Sequence, residues 1–276
     1  MVRVKAIKTA YWRPKKDYRE IIVNSIGNLI KDGDILVVSE KAISIAEGNI
    51  IDESEIKPGI LAKFLARVWM RIIWGYFLGK LCHFRTEQTR HLRNYPIKEG
   101  AIHKQVALNF VGFLQALKYS SEGGIDINNM PYSYACLPLK NCTNYAKLIY
   151  EKIYSKTGKV ITVMIADTDS TFSINKFHFT SRPNPLRGIS SFGGVFSYIL
   201  GRMLVLRQNA TPLAIFGLRL GLNEALKFAE VAHHARGYGA GRTIWEVTEK
   251  FNVKFNEITW EMLERSDHFP LVLIRR

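Results

Sequence analysis

Three short apolar runs in the chain have the length and composition of buried strands. They are ILVV at residues 35–38, VITVMIA at 160–166 and the terminal segment FPLVLIRR at 269–276. They contain β-branched residues and are bounded by polar or turn residues, which predicts strands rather than helices. The first two runs lead directly into polar clusters, so we expect polar side chains at the ends of those strands.

Other segments repeat apolar residues every three or four positions and are predicted to be helices. The clearest are residues 18–31, 140–159 and 222–236, and the second of these ends in lysine and glycine, as helices often do. Residues 105–119 fit a strand and a helix equally well. Strands and helices are therefore mixed along the chain, and the predicted class is α+β or α/β.

Residues 57–95 form a further block that we predict to be helical, and part of it is very apolar. Residues 60–84 carry Lys63, Arg67 and Arg71 four positions apart, on one face of a helix. A membrane span needs roughly twenty residues with few charges, so a basic amphipathic helix is predicted instead. We expect it to pack on the protein's own core or on a second subunit. Binding to an anionic membrane surface or to nucleic acid is the alternative.

The overall composition is that of a soluble globular protein with an excess of positive charge. Of the 276 residues, 47% are hydrophobic and 23% are charged, and the formal net charge is +15. Such a surface attracts nucleic acid, anionic lipid or phosphorylated small molecules without choosing among them. The three cysteines form no CxxC motif, and the N-terminus lacks the apolar core of a signal peptide, so a cytoplasmic location is expected.

Two clusters of oxygen-bearing side chains lie far apart in the sequence. SEGGIDINNM at residues 121–130 has Asp126 after two glycines and before two asparagines, and DTDST at 167–171 follows the second predicted strand. Carboxylates at the end of a strand are common ligands of Mg²⁺ or Mn²⁺ beside a phosphate. Asp126 and Asp167 are therefore candidates for binding one metal ion together. The alternative is that both aspartates close turns or cap helices.

Three groups of glycines supply backbone that can approach phosphate oxygens closely. They are Gly123-Gly124, Gly193-Gly194 and the GYGAG segment at 237–241. The last group follows the predicted helix 222–236, so a helix C-terminus followed by a loop is an equally good interpretation. Its position argues against a Rossmann motif, and the sequence has no Walker P-loop.

The order of these pieces resembles that of the F420-0:γ-glutamyl ligase family, enzymes that add glutamate to a deazaflavin cofactor precursor. GDILVVSEKAISIAEGN is similar to the family's N-terminal strand motif, GGIDINN to its NAGIDxSN and VMIADTDSTF to its VIISDTxGRxxR. LRGISSFGGV and HHARGYGAG lie where the family has two further glycine-containing motifs. The resemblance extends from about residue 7 to about residue 245.

The resemblance implies an α+β fold of mixed β-sheets with packed helices. It implies either a single domain over residues 1–276 or two intimate subdomains, with the helical segment at about 57–95. The implied activity is a GTP-dependent and divalent-metal-dependent ligase that adds L-glutamate, γ-linked, to F420-0 or a related acidic acceptor through an acyl phosphate. The implied cofactors are GTP as a substrate and Mn²⁺ or Mg²⁺, with K⁺ as a further ion. The implied assembly is a homodimer.

The resemblance also assigns roles to individual residues. Asp126 and Asp167 match catalytic, metal-binding aspartates, and Thr168 matches the threonine beside the second one. The remaining matched positions are expected to contact the nucleotide or its phosphates: Ser39, Glu40, Lys41, Asn129, Gly237, Gly239 and the stretch from Tyr11 to Pro14.

Two departures from the family's pattern fall in the expected nucleotide and metal site. Ile45 replaces a lysine that contacts nucleotide in the family. Lys41 is a substitute on the same face, but on a strand it would lie roughly 13 Å away. Tyr238 replaces a metal-binding glutamate, and a neutral phenol is a poor ligand for Mg²⁺ or Mn²⁺.

The arginine-rich stretch that follows the second aspartate in the family is also altered here. Arg182 and Arg187 are candidates to replace its charges, and Asp169 is a candidate for the missing carboxylate. Three hypotheses remain open. The chain is a divergent ligase, a protein of the same fold that binds a nucleotide or phosphorylated ligand without ligase activity, or a basic protein that binds nucleic acid or a membrane surface through residues 60–80.

Overall fold

The computed structural model describes residues 2–276. The strands among them are β1 Arg3–Ile7, β2 Ile35–Ser39, β3 Ile50–Asp52, β4 Tyr134–Cys136, β5 Thr162–Ile174, β6 Phe177–Thr180, β7 Ser190–Ser191, β8 Arg207–Gly217 and β9 Leu271–Arg275. The α-helices are α1 Tyr18–Ile26, α2 Glu40–Ala46, α3 Ile60–Phe64, α4 Gly79–Leu81, α5 Thr86–Arg93, α6 Ile97–Phe110, α7 Phe113–Ala116, α8 Cys142–Thr157, α9 Val195–Met203, α10 Leu222–Arg236, α11 Ile244–Phe251 and α12 Trp260–Glu264. A π-helix, Leu65–Leu78, joins α3 to α4, and 3₁₀ turns lie at Glu53–Glu55 and Phe255–Glu257.

Seven strands form one mixed sheet, which confirms the predicted α+β class. Their order is β1-β9-β2-β5-β6-β7, and β8 pairs along the other side of β5. The neighbours β2 and β5 run parallel, with Ile35 opposite Thr162 and Ser39 opposite Ala166. The strands β9 and β8 run antiparallel to β2 and β5, respectively. The carboxyl ends of β2 and the first half of β5 therefore lie side by side.

The centre of this sheet is covered on both faces, which explains the uninterrupted apolar run in β2. Leu36 and Val38 pack with α1 and α8 on one face. Ile35 and Val37 pack with α10 on the other face. A strand buried on both sides has no solvent-facing positions, so its sequence loses the alternation of a half-buried strand. All four of these side chains are almost completely buried.

The helical segment expected at about 57–95 has a hydrophobic core of its own, to which Met70 and Trp74 belong. Part of its apolar surface therefore packs on the protein itself, as expected, whereas Ile60 and Phe77 are 89% and 64% exposed. The segment differs from the prediction in its winding, because 14 residues of it are π-helical. Arg71 donates a hydrogen bond to the carbonyl oxygen of Tyr95 at 2.7 Å. Among residues 2–276, no helix is both long enough and apolar enough to span a membrane.

Two local predictions need correction or completion. The distance of roughly 13 Å between Lys41 and position 45 assumes that the strand continues, but residues 40–46 form α2. In a helix, Lys41 and Ile45 lie on the same face about 6 Å apart along the axis, so the strand-based distance of roughly 13 Å was wrong. The ambiguous residues 105–119 are mainly helical, within α6 and α7.

Candidate functional site

The side chains that follow β2 and the first half of β5 meet at one edge of the sheet. Glu40 begins α2 directly after β2, and Asp167 lies one residue beyond the last β2 pairing of β5. The pairing of β5 with β8 shifts register between Asp167 and Ser170. Such a bulge changes the direction of side chains at the end of a ladder. Here it leaves Asp167 at the pocket and Asp169 in the interior.

A cavity of about 330 Å³ opens at this edge of the sheet. This volume lies at the lower end of the range for small-molecule sites. The nine single residues to which the resemblance assigns a role all line it: Ser39, Glu40, Lys41, Asp126, Asn129, Asp167, Thr168, Gly237 and Gly239. Of the stretch from Tyr11 to Pro14, Tyr11 also lines it. Residues from five distant parts of the chain thus converge on one pocket.

Both carboxylate oxygens of Asp126 already have partners. The Lys41 ammonium group donates to Oδ2 at 3.0 Å, and the backbone N–H of Asn128 donates to Oδ1 at 2.7 Å. The Lys41 ammonium also donates to the carbonyl oxygen of Asn128. Lys41 therefore holds the loop that follows Asp126 and neutralises its carboxylate. Its side chain remains 21% exposed, towards the pocket.

Asp167 is bound by Arg182, one of the two arginines considered as replacements for the family's arginine-rich stretch. The Arg182 Nε donates to Asp167 Oδ2 at 2.7 Å, and its Nη2 donates to Glu40 Oε1 at 3.2 Å. Its Nη1 donates to the carbonyl oxygen of Gly123. The Arg182 side chain is only 2% exposed. Burial raises the pKa of Glu40 to about 7, and Arg182 is the main group that opposes this rise.

Gly124 makes room for the Arg182 guanidinium. Its φ is +96°, and a Cβ added there would lie 2.3 Å from the guanidinium carbon. A side chain would therefore meet both backbone strain and a direct clash. Gly124 thus allows a buried cation to approach the backbone, and phosphate binding by the paired glycines stays a prediction.

The asparagines after Asp126 join two loops. The Asn129 amide donates to the carbonyl oxygens of Tyr238 and Gly241 at 3.2 and 3.1 Å, and its Oδ1 accepts from the N–H of Ala240 at 2.9 Å. The Asn128 amide donates to the same Gly241 oxygen at 3.0 Å. The amide groups therefore hold the GYGAG loop against residues 126–129. Nucleotide contact by Asn129 stays a prediction.

The arrangement of these residues can be compared with that of known proteins. The model of the F420-0:gamma-glutamyl ligase family matches residues 6–198. This chain belongs to that family. Membership confirms the predicted family and its fold, and with them an amide-forming ligase as the class of enzyme.

Two relatives of this chain differ in how much of its length they match. An uncharacterized protein of Methanocaldococcus jannaschii is 39% identical over 99% of this chain and 96% of its own length. The coenzyme F420:L-glutamate ligase of Methanothermobacter thermautotrophicus is 28% identical over 53% of this chain and 52% of its own length. The likeness to the second protein is therefore confined to about half of each chain.

The residues of this family member do not fit the divalent metal that the resemblance implies. Arg182 and Lys41 already neutralise Asp167 and Asp126, and Tyr238 offers a phenol in place of a carboxylate. A divalent ion 4 Å from the buried guanidinium would meet roughly 8 kcal/mol of repulsion at an effective dielectric constant of about 20. Within residues 2–276, no three carboxylate, imidazole or thiol side chains converge as a metal-ligand set.

Three further candidates from the sequence lie away from the pocket. Asp169 is buried and accepts from the Lys118 ammonium at 2.7 Å, so it does not supply the missing pocket carboxylate. Gly193-Gly194 precedes α9 and does not line the pocket, and neither does Arg187. Only one of the two candidate arginines, Arg182, takes part in the site.

Arg236 is a pocket residue that sequence reasoning missed. It is the last residue of α10 and immediately precedes the GYGAG loop. Its Nη1 is buried without a hydrogen-bond partner, and its guanidinium makes no ion pair within residues 2–276. Burial lowers the pKa of Arg236, and the charge of Asp167 opposes this shift. An arginine next to three glycines was the available signal, since that combination suits an anion.

A buried charge network forms the adjoining wall of the pocket. His103 lies between two carboxylates, with Nδ1 2.6 Å from Glu53 and Nε2 3.1 Å from Glu122. Burial acts to lower the pKa of His103, but the charges of Glu53 and Glu122 outweigh it and raise the pKa to about 10. The histidine is therefore a cation at neutral pH. Lys104 is a second buried cation on Glu122.

This network predicts a pH dependence of stability. The folded pKa of His103 lies above the ordinary value of about 6.5. The stabilisation that protonated His103 gives to the folded state is therefore complete below about pH 6.5 and is lost as the pH rises through about 10. Between these values the unfolding free energy of the wild type should fall by up to about 1.4 kcal/mol per pH unit relative to His103→Gln. Urea unfolding of both proteins at several pH values measures this difference. Equal slopes would contradict a protonated His103.

Proposed function

We propose that this chain is a nucleotide-dependent ligase that adds L-glutamate, through a γ-linked amide, to F420-0 or a related acidic acceptor. The observation that carries the proposal is the convergence of the motif residues on one pocket in a chain of this family. The name of the 28% identical relative, coenzyme F420:L-glutamate ligase, supports the same acceptor class.

The pocket has groups suited to the charges in such a reaction. An acceptor carboxylate attacks the γ-phosphorus of GTP, and GDP leaves, giving an acyl phosphate. The glutamate amine then attacks the acyl carbon and loses a proton as phosphate departs. Both steps bring anions together, so catalysis consists mainly of positioning and charge neutralisation. Lys41 and Arg236 line the pocket and supply positive charge for this task.

GTP rather than ATP, a K⁺ ion and a homodimer belong to the same proposal. Self-association has support from the apolar side chains that α9 leaves in solvent. Phe196, Leu200 and Met203 are 57%, 37% and 38% exposed, and α9 packs against α7, where Phe113 is 48% exposed. Exposed apolar patches of this kind are common at protein interfaces.

A second candidate function is binding of a phosphorylated ligand without ligation. It is favoured by the ion pairs of Asp126 and Asp167, because carboxylates that are already neutralised are less free to act on substrates. Under this alternative the pocket recognises an anion but forms no amide bond.

Incubation with F420-0, L-glutamate and GTP tests the proposal, with the glutamylated product detected by mass spectrometry. The wild type should form it and release phosphate. Asp126→Asn should lower the rate of amide formation by about 100-fold or more. It weakens the contacts that hold Lys41 and the loop at Asn128, and a displacement of about 1 Å in a reacting group can cost this much.

The matched control is Asp32→Asn. Asp32 is exposed, pairs with Lys159 and lies outside the pocket, so full activity is expected. Circular dichroism checks that both variants are folded. Nucleotide binding by the wild type without any amide product from acidic acceptors would reject the ligase proposal in favour of the second candidate.

A further inference from the structure

The carboxylates at the inner end of the pocket are balanced by cations of the chain itself. Glu40 and Asp167 share Arg182, and Asp126 pairs with Lys41. Arg236 adds a third positive charge close enough to Asp167 for the two charges to interact. Three carboxylates thus face three cations.

Arg182 cannot dissociate from the site as a bound metal ion can. Its three donor nitrogens contact Asp167, Glu40 and the Gly123 carbonyl oxygen, and Gly124 packs against its guanidinium carbon. A guanidinium stays protonated at any pH a protein tolerates. It therefore remains beside Asp167, where a divalent ion would have to bind.

Arg236 differs from the other two cations because its guanidinium is unpaired within residues 2–276. A buried donor without a partner is costly, and a bound anion would remove that cost. Arg236 lines the cavity beside the GYGAG loop, and the partly exposed Lys41 lines the same cavity. Arg236 and Lys41 therefore face the ligand space, whereas Arg182 does not line the cavity.

We propose that Lys41, Arg182 and Arg236 replace the divalent metal in this family member, so that the pocket binds an oligophosphate directly and without a metal ion. The inference rests on the proposed function for its ligand, a nucleoside triphosphate. Arg182 neutralises the acidic residues, whereas Arg236 and Lys41 donate to phosphate oxygens. Arginine suits this role because its fork of N–H groups matches two phosphate oxygens at once.

Calorimetric titration with GTP tests the proposal, in one buffer with EDTA and in another with Mn²⁺. The two dissociation constants should agree within about threefold. Arg236→Ala should weaken binding at least tenfold in the EDTA buffer, as expected for the loss of a charge-assisted hydrogen bond. Arg236→Lys should recover part of that loss because it restores the charge.

Arg219→Ala is the matched control. Arg219 is exposed, makes no ion pair within residues 2–276 and lines a different cavity, so its removal should leave GTP affinity unchanged. An equal loss in both alanine variants would assign the effect to general surface charge and overturn the proposal. Binding seen only with Mn²⁺, or no binding in either buffer, would overturn it as well.

Electron paramagnetic resonance of Mn²⁺ supplies a readout that does not depend on nucleotide. The wild type should leave the free Mn²⁺ signal unchanged. Tight Mn²⁺ binding by the wild type would reject the replacement of the metal. Metal-free GTP binding without an amide product would reject the ligase function alone, and Mn²⁺-dependent ligation would reject this inference alone.

Discussion

Replacing Arg182 with methionine is expected to lower the free energy of unfolding by about 3–5 kcal/mol. Methionine keeps much of the apolar stem but removes the cation that Glu40 and Asp167 share. Both acidic side chains then remain in a nearly dry site without the cation that they shared, which is the costly way to break a buried ion pair. Urea unfolding at pH 7, followed by circular dichroism, measures the loss.

The double variant Arg182→Met/Glu40→Gln separates this electrostatic cost from the loss of packing. It should regain part of the lost stability, because one stranded charge has been removed. Arg219→Met, at an exposed site, should change stability by no more than about 0.5 kcal/mol. A loss below about 1 kcal/mol in Arg182→Met would mean that the buried ion pairs are not formed in solution.

Replacing Glu122 with glutamine is the second substitution for which we expect a loss of about 3–5 kcal/mol. Glu122 is 3% exposed and pairs with both His103 and Lys104, and the Lys104 side chain is completely buried. Glutamine preserves the shape but leaves Glu53 as the only carboxylate on His103 and none on Lys104.

Glu249→Gln provides the comparison for this substitution. Glu249 is exposed and pairs with no cation within residues 2–276. The unfolding free energy of Glu249→Gln should therefore match that of the wild type. Urea unfolding of the three proteins at pH 7 gives the ranking. If Glu122→Gln were as stable as Glu249→Gln, Lys104 would have to be neutral in the folded protein, contrary to the network described.

Three of the nine strands, β2, β5 and β9, were predictable from sequence because each is a short apolar run, which is a local signal. Apolar runs define β2 and β5, and the polar residues at their ends follow from chain order. The partners of these polar residues were not predictable. Arg182 returns to Asp167 through the hairpin of β5 and β6, and only the strand pairing brings it there.

Two local misinterpretations have identifiable causes. The apolar residues of α2 continue the run of β2, and the change from strand to helix at Ser39 carries no glycine or proline to mark it. Asp169 resembles a site residue by its spacing from Asp167. The register shift between Asp167 and Ser170 turns Asp169 away from the pocket, and its carboxylate pairs with Lys118 instead.

The amide contacts of Asn128 and Asn129 have a mechanical consequence. In the sequence, the two glycine-rich segments look like independent flexible loops more than one hundred residues apart. In the folded protein, opening either one breaks the same hydrogen bonds, so both should detach together or remain closed together. A motion that widens the pocket at this side must therefore move residues 126–129 and the GYGAG loop as one unit.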